Sequence, residues 1–386
     1  MERLRFIILF VMIGFTGCKQ TVNQRDDVIF VDVNASYPKK ELILQDFMDV
    51  EYIPLETNDD FLCQGEVMAI GKDIILVKNN KNDGNIFVFD RNGKALRIIN
   101  RKGQSGKDYV YLSEVMLDED NNEIFVNDGN SKKILVYDLD GEFKRSFYYT
   151  ENFRYADIYN LDQENLILKD DTYYLGRSKN KPMHMIVSKS DGSVTKEIQI
   201  EYEEKISIDV QYDFNGKIGA ARAPGFFAIV PYRNKFFIVE PSSDTIYTLL
   251  PDYSISPFIV RTPSIQSMDP EKFLFLNMLT DRYYFMSTVK KTLDFPNVNL
   301  MYDKQENAIF EYTVYNDDYS NKRSVFMKLK PMNNEIAIWQ KIESHQLMEA
   351  NERGELKGKL KEIANTLDED SNPVIMLIKY LASPSR

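Results

Sequence analysis

Histidine and cysteine, the residues that build most catalytic metal centres, are nearly missing: the 386-residue chain has 2 of each. His184 and His345 cannot furnish a His-rich centre, and zinc sites with several His or Cys ligands have no source. A basic excess is missing too. Lys and Arg total 48 against 59 Asp and Glu, and the net charge of −11 excludes a broad basic surface for nucleic acid. No apolar run after the first twenty residues is long enough for a membrane helix. There is no Gly-x-Ser-x-Gly elbow for a serine hydrolase. The Gly-containing basic stretch Lys102–Lys107 lacks Walker spacing and precedes a strand pattern, so it reads as a connecting loop. In Pro182-Met183-His184-Met185 a strand would put both Met side chains on one side and His184 on the other. That separation argues for core packing over a copper site.

The first eighteen residues have the plan of a signal peptide. Arg3 and Arg5 precede the apolar run Phe6–Phe15, which is too short to span a bilayer, and small residues lead to Cys18. Phe15-Thr16-Gly17-Cys18 resembles the bacterial lipobox, with Phe15 in place of the usual Leu. That resemblance implies cleavage before Cys18 and lipidation of its thiol, an anchor of more than one acyl chain. Cys63 would then have no disulfide partner and reads as a small core residue. Residues 19–27 are polar and read as a tether, and residues 28–386 as one domain.

Aromatic residues are abundant, with 23 Tyr and 24 Phe, and lean the composition toward strands. A repeat is visible. Glu66-Val67-Met68 recurs as Glu114-Val115-Met116, and Ile86–Gly93 aligns with Ile134–Gly141, both at an offset of 48. A period of that size made of short strands is the mark of propeller blades. One unit is predicted as four strands, at Glu114–Asp118, Glu123–Asn127, Lys133–Tyr137 and Glu142–Tyr148. Asp138-Leu139-Asp140-Gly141 supplies a hairpin turn that tolerates positive φ. Such Asp-rich turns could attract calcium but need no ion, and no cofactor is expected.

A third unit is expected around Leu166–Lys169 and Met185–Lys189, and a fourth over Phe226–Arg261. Tyr283–Val289, Val298–Tyr302 and Ala308–Val314 fit a fifth; Val325–Leu329 and Glu335–Gln340 open a sixth. The period then becomes helical over about 344–367, with Gly354 dividing the helix. The strand Val374–Leu381 is expected to join the sixth blade, completed by Val28–Val33 or Asp49–Leu55. The prediction is an all-β, six-bladed β-propeller closed by pairing of its two ends, with a helical insertion in the last blade.

The unit Gly103–Phe147 resembles the NHL repeat. Three stretches, Glu51–Thr57, Ser243–Tyr247 and Asn372–Ile375, make the whole chain similar to the six-bladed β-propeller lipoproteins of Bacteroides-type bacteria. The resemblance implies fold and export and leaves the ligand open.

Propellers bind at one mouth of the central channel, where loops from every blade converge. The loop candidates are Arg101, Asp108 and Tyr109, with Lys102 beside them; Asp128, with Lys132; Arg222; and Asp281, Arg282 and Tyr283, placed before the fifth blade's first strand. Arg and Tyr pair hydrogen bonding with flat apolar surface, which suits a glycan, a peptide or an acidic small molecule. The expected function is an exported, outer-membrane lipid-anchored binding module, on either the periplasmic or the outer face. Its partner would be a glycan, a peptide or an envelope protein, not a nucleic acid, and it would meet the membrane through the lipid alone. The rival is a hydrolase or lyase acting on sugars or lactones with acidic residues in the channel.

Overall fold

The computed structural model of the protein describes residues 28–79, 82–172, 182–333 and 335–381. The signal segment, Cys18 and the tether lie outside the described residues. Six sheets stand around a central axis as blades. Blade one holds Glu66–Ile70, Ile74–Lys78, Asn85–Asp90 and Ala95–Asn100, counted from the axis outward. Blade two holds Glu114–Asp118, Glu123–Asp128, Lys133–Asp138 and Phe143–Tyr148. Blade three is Tyr155–Asn160, Asn165–Asp170, His184–Ser188 and Val194–Ile198. Blade four is Ile229–Tyr232, Lys235–Ile238, Thr245–Leu249 and Ile255–Thr262. Blade five is Lys272–Leu279, Tyr283–Lys290, Asn297–Asp303 and Ala308–Asn316.

Blade six is built differently. Its regular strands are Ile336–Ile342, Val374–Tyr380 and, from the N-terminal side, Met48–Pro54. The pairing of Val374 with Pro54 through to Tyr380 with Met48 closes the ring. The segment Val325–Leu329, expected to open this blade as a strand, is not one. Residues 325–332 run along the axial side of Ile336–Ile342 with isolated bonds, such as Met332 N–H to the Ala337 carbonyl at 3.2 Å. Pro331 in this segment has no N–H to give to a ladder. The helices Ser344–Glu352 and Gly358–Ala364 connect Ile336–Ile342 to Val374–Tyr380, with Gly354 between them at φ +68°.

The other candidate for closure, Val28–Val33, has a separate role. Ile29–Asp32 pairs in parallel with the outer strand of blade four, and Lys39–Ile43 in parallel with that of blade five. One passage of chain thus covers the outer edges of blades four and five, which would otherwise present unpaired backbone groups, and goes on to form the outer strand of blade six.

Burial explains the strand patterns. Blades stack face to face, so middle strands are covered on both sides; every residue of Glu123–Asp128 and Asn165–Asp170 is buried. Outer strands alternate, as in Phe143–Tyr148. Buried apolar clusters fill the interfaces between neighbouring blades: one joins Ile86, Val88 and Ile99 to Val115, Val126 and Tyr137. The repeat at an offset of 48 includes a clamp. Arg97 donates to the Leu139 carbonyl of the next blade, and Arg145 to the Lys189 carbonyl of the one after. The Asp turns brace themselves: Asp138 accepts the amides of Asp140 and Glu142 at 3.0 and 2.8 Å.

Antiparallel order within each blade sorts the connections onto two faces. Turns between first and second and between third and fourth strands share one, the turn face. Connections from blade to blade, and those between second and third strands, share the other, the loop face.

Candidate functional site

The inner strands of blades one to three, Pro231 and Phe236 of blade four, and the irregular segment of blade six line a cavity of about 630 Å³ in the central channel. Glu66 and Glu114, first residues of the repeated Glu-Val-Met, both line it. Its most polar part is a row of charges that crosses the channel. Lys330 reaches from blade six to Glu114 of blade two and, at 3.3 Å, to Asp157 of blade three. Asp157 also pairs with Lys169 at 2.8 Å. Beyond them Asp171 lies 3.8 Å from Lys169 and from Arg222.

Lys330 and Asp157 are surrounded by protein, yet their side chains keep 41% and 28% of their surface exposed because it faces the cavity. Burial raises the Asp157 carboxyl, but Lys330 and Lys169 outweigh it and hold it well below the usual range. Burial likewise lowers the Lys330 ammonium, and Glu114 and Asp157 outweigh that and hold it well above its ordinary value. Asp157 and Lys330 are therefore both ionised at neutral pH. Asp157 sits at φ +48°, a conformation Asp tolerates better than most residues, and the kink interrupts the pairing of its strand. Tyr159 donates to the Pro331 carbonyl at 3.0 Å, with the Lys330 ammonium 5.6 Å from its ring centre. Trp339, on the strand Ile336–Ile342, and Met332 of the irregular segment both line the cavity and pack against the apolar cluster between blades six and one.

A family profile described as a domain of unknown function (DUF4934) matches residues 28–379. The chain belongs to this family. A search of curated proteins finds no match. A Bacteroides fragilis protein described as exported has a similar structure, with a TM-score of 0.57 at 16% identity, over 92% of this chain and 99% of that one. At that identity the likeness speaks for the fold alone. A DUF4221 member from Bacteroides vulgatus scores 0.40 at 10% identity, over 86% and 96% of the two chains. Virginiamycin B lyase of Staphylococcus aureus scores 0.37 at 10%, over 86% and 100%. Both are too distant to bear on the chemistry of this family member.

None of the eight loop candidates lines the cavity. Tyr109 is buried and donates to the Gly84 carbonyl at 2.6 Å. Asp128 is buried as well, accepting from Val110 N–H at 2.7 Å and from Ser131 Oγ at 2.8 Å. Asp108 accepts from Ser105 N–H at 3.1 Å within its own loop, and Arg101 binds the Gly141 carbonyl at 2.7 Å and Glu142. Arg222 ends a two-stranded hairpin, Asp209–Phe214 with Lys217–Arg222, and pairs with Asp209 at 2.9 Å. It is the candidate nearest the site, through Asp171.

Asp281, Arg282 and Tyr283 lie on the opposite, turn face. The first strand of blade five is Lys272–Leu279, so these residues follow it rather than precede it. Asp281 accepts from Arg233 at 2.7 Å, Arg282 pairs with Asp303 at 2.9 Å, and Tyr283 is buried. His184 is in the core, its Nε2 donating to the Ala228 carbonyl at 3.0 Å, with Met183 and Met185 buried beside it.

Proposed function

We propose that this protein is an exported binding module of the cell envelope, anchored through a lipid on Cys18, whose ligand enters the central channel. One observation carries the site: a cavity of about 630 Å³, within the range of small-ligand pockets, with a charged row and aromatic side chains converging on it. Export rests on the Arg3–Cys18 sequence pattern and agrees with the description of the Bacteroides fragilis neighbour. Arg222 stands beside the site and would tune entry through Asp171. No cofactor is invoked; a glycan, a peptide or an envelope protein fits the module role.

The rival, a hydrolase or lyase, has support in the carboxylates of Glu114, Asp157 and Asp171 along the lining. Acid–base catalysis needs one carboxyl raised toward neutrality. Asp157 is held in the opposite direction and is unsuited to be that acid. Two experiments test the reading. Fractionation of cells carrying wild type or Cys18→Ala should move the protein out of the membrane fraction in the variant. Thermal-shift screening of the full chain in detergent against glycans, peptides and divalent metals should find a stabiliser that obeys mass action. Stabilisation by calcium alone would shift weight to the catalytic rival.

A further inference from the structure

The cavity lining selects among ligand classes, on the reading that the channel is the ligand site. The row Glu114, Lys330, Asp157 and Lys169 combines carboxylates and ammoniums in equal number, each partnered within the row. The three that line the cavity, Glu114, Lys330 and Asp157, thus already hold partners before a ligand arrives. An ammonium carries three N–H donors. Lys330 directs donors to Glu114 and Asp157 and keeps exposed surface toward the cavity, where a neutral oxygen can accept. Glu114 and Asp157 retain lone pairs that a hydroxyl can donate to. A hydroxyl-rich body, donor and acceptor at once, satisfies both.

Trp339, the only Trp of the chain, adds a flat surface. Among the described residues its indole N–H has no hydrogen-bond partner, so it remains available to a ligand oxygen. Tyr159 and Met332 extend the apolar lining. Charged classes fit less well. Carboxylates outnumber basic side chains along the lining, which repels an anion. A ligand ammonium would find Glu114 and Asp157 already paired with Lys330 and Lys169, and Glu66 with Lys78 at 3.5 Å.

We propose that the channel binds a neutral saccharide, with the C–H face of a sugar ring on Trp339 and its hydroxyls on Lys330, Asp157 and Glu114. The test uses full-length protein in detergent and the fluorescence of the sole Trp. Titration is with neutral oligosaccharides (maltotriose, xylotriose, mannotriose, cellotriose) and with a digalacturonate and a chitosan dimer as acidic and amino controls. A saturable change with a neutral sugar, weaker with both controls, is the expected result. By calorimetry Trp339→Leu should weaken binding about tenfold or more, equivalent to about 1.4 kcal/mol. Lys330→Met should do likewise, but it also unpairs two carboxylates; Trp339→Leu breaks no ion pair and keeps the test interpretable if that variant unfolds. Tighter binding of either charged control overturns neutrality. A peptide that perturbs Trp339 while every saccharide fails overturns the ligand class and leaves the channel as binding site. Failure of all ligands to alter Trp339 fluorescence or melting overturns both.

Discussion

The side-chain amide of Asn372 donates to the backbone carbonyl of Glu56 at 2.8 Å, joining residues 316 apart in sequence. The same amide reaches the Phe61 carbonyl at 2.6 Å, and its oxygen accepts from Cys63 N–H at 2.9 Å. Two of the stretches by which the sequence resembles the Bacteroides-type propellers thus meet at the closure of the ring. Asn372→Ala would leave an amide and two carbonyls without these partners in a buried place, at about 1–3 kcal/mol for an unsatisfied group. The expected loss is about 3 kcal/mol, read as a lower urea midpoint with an unchanged slope. A loss below about 1 kcal/mol would mean that water replaces the amide.

Gly141 ends a hairpin turn at φ +86°, and a Cβ there would lie 2.7 Å from Ile99 Cγ2 of the preceding blade. Gly216, at φ +76° in the exposed hairpin, has nothing within 4 Å. Gly216→Ala should therefore carry only the conformational cost, about 1 kcal/mol. Gly141→Ala should cost about 2 kcal/mol or more, since overpacking adds to it. Equal melting shifts would show that the blade interface gives way freely.

Burial pushes the His184 imidazole down to about 4; the Ala228 carbonyl opposes this, and Lys169 adds to it. Its Nδ1 has no partner among the described residues. The unfolded chain takes a proton near about pH 6.5, which the folded protein resists. Stability from this group is thus complete above about pH 6.5 and falls as the pH drops toward about 4, by up to about 3 kcal/mol. Between about pH 6.5 and about 5 carboxylates barely titrate. Urea midpoints over that interval should fall for wild type and stay flatter for His184→Gln. Parallel slopes would refute the assignment.

Lys330→Met removes the ammonium that holds Glu114 and Asp157 together. Breaking a fully buried pair costs about 3–5 kcal/mol. Lys330 keeps 41% of its side-chain surface toward the cavity, so water can partly replace it, and about 1–2 kcal/mol is expected. Added salt should narrow the gap between variant and wild type in chemical denaturation. A variant as stable as wild type at low salt would mean that the row contributes only to binding.

Local chemistry in the sequence determined the blades. Asp-x-x-Gly turns, short β-rich runs and a repeated offset are each written within a few residues, and strand pairing inside a blade is between neighbours. The inner strand of blade five escaped notice because Lys272–Leu279 is buried at nearly every position and lacks alternation. Its omission shifted the frame by one strand and put Asp281 and Arg282 on the wrong face. The irregular segment of blade six has no strand period to read, and Lys330 lies in it. Only the tertiary structure brought Lys330 to Glu114, 216 residues away, and set Asp157 and Trp339 beside the same cavity. The physical reason is closure: axial residues from separate blades become neighbours only when the N-terminal strand Met48–Pro54 completes the ring against Val374–Tyr380. No spacing along the chain encodes that convergence.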